Sequence, residues 1–131
     1  MILYATLGTS DFARAIRFYD AVFATLGIGR APDWAEGWAG WGGSYDEGPS
    51  LWVCSPFDGK APAPGNGTML TFAGKTEKQV QDFHAIALAN GGTDEGVPGI
   101  RAAYGPNFYV AYVRDPDGNK LACVFHRYKS S

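Results

Sequence analysis

The sequence predicts an α+β domain of two repeated βαβββ modules, whose strands form a curled mixed sheet around a cleft with the helices on the outside. Three observations carry this expectation. The chain has 131 residues, about one domain's worth. Apolar residues make up 46% and aromatic residues 15%, enough to fill an interior and too many for a disordered chain. The second half also repeats the first. Phe18 and Gly27 recur 65 positions on as Phe83 and Gly92, with His84 at the place of Tyr19, and Gly48 and Leu51 recur 70 positions on as Gly118 and Leu121.

The elements follow in order. Residues 2–8, ILYATLG, alternate as a first strand. Ser10 or Asp11 can cap a helix in which Phe12, Ala15, Ile16, Tyr19, Phe23 and Leu26 share one face and which stops at Gly27. Short Gly- and Trp-rich segments through Trp34, Trp38 and Trp41 lead to a strand at 50–54, SLWVC. Residues 55–67, SPFDGKAPAPGNG, hold three Pro and three Gly and read as a linker or mobile loop. They divide a single domain, 1–131, into a first module of about 1–56 and a second of about 68–128. TMLTFA at 68–73 reads as a strand, with Thr68 matched to Tyr4 at an offset of 64. Thr76 and Gln79 form a capping box opening a helix through Val80, Phe83, Ala87 and Leu88, which Gly91 and Gly92 end. NFYVAYVRD, the turn DPDGN and KLACVFH then read as a hairpin.

Charge and cysteine usage exclude several function classes. Net charge is −2 and the eleven Lys and Arg are scattered without a basic run, so no electrostatic footprint for nucleic acid is expected. No apolar stretch approaches the roughly 20 residues of a bilayer span, and the start, MILYATLGTSDF, lacks a basic segment followed by a long apolar one. No membrane partner and a cytoplasmic location are expected. Cys54 and Cys123 show no CxxC spacing, so neither a disulfide framework nor a zinc site is signalled.

The opening TSDFARAIRFYDAVFATLGI, then FHAIALANGGTDEG, PGIR and YGPNFYVAYVRDPDGNKLA, resemble the vicinal oxygen chelate superfamily of glyoxalase I, bleomycin-resistance proteins and extradiol dioxygenases. The resemblance covers nearly the whole chain and implies the fold rather than one activity. In metal-dependent members, cleft-facing residues on the first and last strands of each module hold a divalent ion, which acts as a Lewis acid. The motifs place those positions at Tyr4 and Thr68, and at Trp52 and Ala122, pairs that the internal repeat also matches. None is His, Asp or Glu. The resemblance therefore implies a member without the usual cage, needing no cofactor, that binds a small organic molecule as bleomycin-resistance proteins do. A glyoxalase-like or dioxygenase-like metalloenzyme, with Tyr4, Cys54 or His126 around a divalent metal, is the alternative. The resemblance also implies a homodimer, with the modules pairing within a chain or across two.

Each candidate residue has a structural reading beside the functional one. Tyr4, Thr6, Thr68, Phe72 and Trp52 line a cleft of aromatic and hydroxyl groups suited to a small molecule, or simply fill the core. Cys54 shares the face of Trp52 and is a soft ligand or, more commonly, a small buried hydrophobe. Arg101, Tyr104 and Tyr109 are placed near the cleft mouth by the resemblance, where Arg101 binds an anionic group or holds a loop. By alternation His126 shares a face with Ala122 and Val124 and reaches the cleft rim, or else lies at a surface or dimer contact. His84 sits on the apolar face of its helix and reads as structural. Asp115 and Asp117 read as turn residues rather than an acid–base pair. The Trp34, Trp38 and Trp41 cluster is a binding lid or an interface patch.

Overall fold

The computed structural model describes residues 1–33 and 35–127; of the three clustered tryptophans, Trp34 lies outside them. The chain runs β1 (Tyr4–Gly8), α1 (Phe12–Ala24), β2 (Ala39–Gly42), β3 (Ser50–Cys54), β4 (Leu70–Ala73), α2 (Glu77–Ala89), β5 (Thr93–Ile100), a single 3-10 turn (Ala102–Tyr104), β6 (Tyr109–Arg114) and β7 (Lys120–Phe125). Two mixed sheets result, in the orders β1-β3-β2 and β4-β7-β6-β5. In each, the first strand of its module pairs parallel with the last, so the repeat seen in the sequence is a repeat of topology.

The modules differ in one strand. The second carries the eight-residue β5, whereas its counterpart in the first is reduced to the bridge Arg30↔Trp41, with Ala31 N–H donating to the Gly40 carbonyl. Gly29 and Pro32 flank that bridge, and proline has no N–H to extend a ladder while glycine weakens one.

Both helices are capped from the sequence: Asp11 accepts from Arg14 N–H, and Thr76 from Gln79 N–H. Gly27 (φ 71°) and Gly91 (φ 94°) supply the left-handed conformation that lets the chain leave each helix. The helices touch each other and share one core with both sheets, in which Phe18, Val22, Val80, Phe83, Val113 and Leu121 are fully buried. An aromatic chain runs through it from Trp41 to Phe23 (5.8 Å), Phe72 (5.0 Å) and Phe83 (6.2 Å), crossing from one module to the other.

A polar link joins the modules at the β6–β7 turn. Asp115 closes it, with Oδ1 accepting from Asp117 and Asn119 N–H, and Gly118 takes φ 91°. The turn docks on the start of α1: Tyr19 Oη donates to Asp115 Oδ2 at 2.5 Å, and Asp117 Oδ1 accepts from Ser10 and from Arg14 Nη2 at 3.0 Å. Burial, and then the neighbouring Asp115 carboxylate, hold the Tyr19 phenol well above its usual range.

Candidate functional site

Strand alternation sorts every residue to the helix side or to the open, cleft side of its sheet. In the first module Leu7, Leu51 and Val53 join the core, which leaves Tyr4, Thr6 and Gly8 of β1 and Ser50, Trp52 and Cys54 of β3 on the cleft side. Trp52 is fully buried even so. Its ring lies over Gly40, where an added Cβ would come within 2.5 Å of it, and its Nε1 donates to Ser50 Oγ. Trp52 therefore closes this face of the sheet and is not a free ligand contact.

Beside it, residues 6–8 of β1 and Cys54 line a cavity of about 590 Å³ together with Trp38 and residues 55–58 and 61–63. The segment read as a linker is thus part of the site. It packs directly on β1: a Cβ on Gly8 would lie 3.0 Å from Pro62 Cβ and 3.3 Å from Pro56 Cγ. Proline and glycine content signals a break in secondary structure but not where the chain then packs. Burial pushes the Cys54 thiol up, so it is protonated at neutral pH and weak as a nucleophile or ligand.

In the second module the register corrects two assignments. Thr6 pairs with Trp52, and Thr71 with Ala122, so Thr71 is the counterpart of Thr6 at the same 65-residue offset as the helices. Thr68 precedes the strand and is exposed. Phe72 consequently faces the helices, with its ring against Phe23 and Phe83. Tyr109 is corrected as well: it falls in register with Ala111 and Val113, is buried on the core side and accepts from Gln81 Nε2.

The cleft face of this module is made by Thr71, Ala73, Val110, Tyr112, Ala122 and Val124; Ala122 and Val110 are fully buried in a small apolar cluster with Val124. A cavity of about 290 Å³ is lined by Thr71, Phe72, Ala73, Phe108, Val124 and His126, so Phe72 borders it even though its ring packs toward the helices. Arg101 lies further along the sheet, with its guanidinium on the Tyr112 ring and Nη2 donating to the Val97 carbonyl at 2.7 Å. Tyr104 is exposed, and its ring meets Phe108 at 5.3 Å. His84, on the buried face of α2, bonds Asp94 of β5 through Nε2 at 2.9 Å.

The residues present do not fit a divalent-ion cage. Among the described residues no three His, Cys, Asp or Glu side chains come together, and correcting the register exchanges Thr68 for Met69 or Thr71, neither of them a carboxylate or imidazole. Cys54 and His126 line different cavities. Among the described residues no helix is long and apolar enough to cross a membrane.

No protein-family model matches the chain, nor does any curated protein. Solved structures do. The chain is similar to a glyoxalase/bleomycin resistance protein from Albidiferax ferrireducens T118, with 35% identity over 93% of this chain and 95% of the other and a TM-score of 0.79. It shares its fold with a glyoxalase-related enzyme from Fulvimarina pelagi, at 22% identity over 95% and 87% of the two chains and a TM-score of 0.74. The same holds for a glyoxalase/bleomycin resistance protein/dioxygenase family enzyme from Burkholderia phytofirmans PsJN, at 19% identity over 96% and 99% and a TM-score of 0.72.

Proposed function

Because the chain belongs to the glyoxalase/bleomycin resistance protein family, within the vicinal oxygen chelate superfamily, we propose that it binds a small organic molecule in its cleft without the divalent ion of the metal-dependent members. The observation that carries this reading is the chemistry of the cleft faces. They offer mainly hydroxyl, aromatic and aliphatic groups around cavities of about 590 and 290 Å³, with the Cys54 thiol and a single carboxylate, Asp58, in the first and a single imidazole, His126, in the second, a lining suited to holding an organic ligand.

The reading includes a second copy of the chain. Strands β1 and β4 each stand at the end of their sheet's strand order. Ile2, Leu3, Tyr4 and Met69, on or beside them, are 42–62% exposed. Unpaired apolar edges favour association, and neither cavity takes residues from both modules, so two copies with β1 facing β4 would complete it. It also includes a cytoplasmic location, which suits the free thiols of Cys54 and Cys123.

The test is a fragment screen by NMR on metal-assayed protein, with light scattering for the oligomer. Small aromatic fragments are expected to shift the resonances of Thr6, Cys54, Thr71 and Val124, and Thr6→Trp is expected to abolish the shifts at Cys54 without lowering the melting temperature. Absence of any such shift at millimolar fragment overturns the binding reading. A stoichiometric divalent ion overturns the metal-free part, and a monomer overturns the dimer.

A further inference from the structure

On the cleft face of the second module, two cations lie close to one ring. The Arg101 guanidinium lies 5.7 Å and the Lys120 ammonium 5.4 Å from the centroid of Tyr112. All three side chains are half-buried, and among the described residues neither cation has an ion-pair partner. The nearby Arg114, by contrast, is engaged by Glu95 and the Gly118 carbonyl. Two like charges brought to one partly desolvated ring repel each other and are only partly compensated by the ring's quadrupole.

The backbone is shaped to seat the guanidinium. A Cβ at Gly96 would lie 3.1 Å from Arg101 Nη2 and 2.8 Å from the Tyr112 ring, and one at Gly99 would lie 3.3 Å from Nη1. The β5–β6 register breaks on both sides of Gly96, and bulges of this kind re-aim side chains at sites. Bonds from Nη2 to the Val97 carbonyl at 2.7 Å and from Nη1 to the Ile100 carbonyl at 3.5 Å fix the group and leave other donors of the fork for a ligand.

Tyr112 also adjoins the apolar floor. It packs on the cluster of Val110, Ala122 and Val124, and two strand residues, about 7 Å, separate its level from that of Val124, which lines the cavity with Phe108. We propose that Arg101, Lys120 and Tyr112 form an oxyanion subsite, and that the ligand is an amphipathic organic anion. Its carboxylate or phosphate is held by the Arg101 guanidinium and the Lys120 ammonium, and its aromatic or aliphatic body lies on Phe108 and Val124. The inference rests on the reading that the cleft takes a small organic molecule, and narrows it.

The test is calorimetry and NMR on the full chain with four probes: 4-phenylbutanoate, phenyl phosphate, the neutral 4-phenylbutanamide, and inorganic phosphate. Both organic anions are expected to bind roughly tenfold more tightly than the amide, as bonds to charged groups allow, and to shift the amides of Tyr112 and Val124. Lys120→Met and Arg101→Met are each expected to cut anion affinity about fivefold while leaving the amide's unchanged, and Arg101→Lys to retain most of the preference. An amide that binds as tightly as the anions, or anion affinity unchanged in both Met variants, overturns this inference alone. Inorganic phosphate binding as tightly as phenyl phosphate overturns the amphipathic class. Failure of all four probes in the wild type overturns the small-molecule reading together with this one.

Discussion

Replacing Tyr19 by Phe removes a single oxygen from the link between the modules. The ring stays: it is 1% exposed and packed against Phe18 (4.9 Å), Trp41 (5.4 Å) and Phe23 (5.8 Å). What is lost is the 2.5 Å bond to Asp115 Oδ2, whose remaining partner is Asn119 Nδ2 at 2.9 Å. A buried hydrogen bond to a charged acceptor contributes about 1.5–3 kcal/mol, and no cavity term adds to it. The expected loss is therefore about 1.5–3 kcal/mol, or roughly 5–15 °C in Tm for a chain of this size. Urea unfolding at pH 7 should show a lower midpoint with an unchanged m-value.

The pH dependence provides a second check. The folded-state pKa of Tyr19 is raised above its usual value, by burial and then by Asp115. Its contribution is thus fully present below about pH 10 and is lost as pH climbs toward the raised value. The stability gap between wild type and Tyr19→Phe should stay constant to about pH 10 and narrow above it. A variant within about 0.5 kcal/mol of wild type at pH 7, the spread of ordinary surface substitutions, would refute the assignment of this bond as a stabilising contact.

The remaining predictions concern the cleft. Gly40→Ala would place a methyl group 2.5 Å from the Trp52 ring and is expected to destabilise by about 1–3 kcal/mol, as overpacking does, read as a lower urea midpoint; a neutral substitution would show that the ring is free to move. Burial pushes the Cys54 thiol up, and pushes the fully buried Cys123 up to about 12. Mass spectrometry after iodoacetamide at pH 7.5 should therefore show slow single labelling at Cys54 and none at Cys123 until the chain is unfolded.

The helices were legible because each carries its own punctuation. Asp11 and Thr76 cap them, glycine ends them, and one offset of 65 relates Phe18 to Phe83 and Gly27 to Gly92. Strand β4 was not, because TMLTFA puts Thr and apolar residues on both faces. A one-residue slip there, an offset of 64 instead of 65, turns the whole strand over. That slip put Thr68 in the cleft, hid Thr71 and turned the Phe72 ring toward the cleft instead of the helices. Tyr109 was misplaced because the resemblance located its segment but not its face, and NFYVAYV is apolar on both faces. The contribution of 55–63 to the cavity, and the convergence of Arg101 and Lys120 on Tyr112, depend on contacts between segments distant in sequence, which no local pattern encodes.

The link between the halves also means that the two copies are no longer interchangeable. The first module supplies a phenol and the second a carboxylate, at positions where the other copy has something else: His84 stands at the place of Tyr19, and Tyr45 at the place of Asp115. His84 instead bonds Asp94 of its own module. A chain assembled from two first modules would set phenol against phenol at the junction, and one from two second modules would set an imidazole against the carboxylate. Duplication has been followed by division of labour at the seam, so the Tyr19–Asp115 bond that joins the halves needs one copy of each.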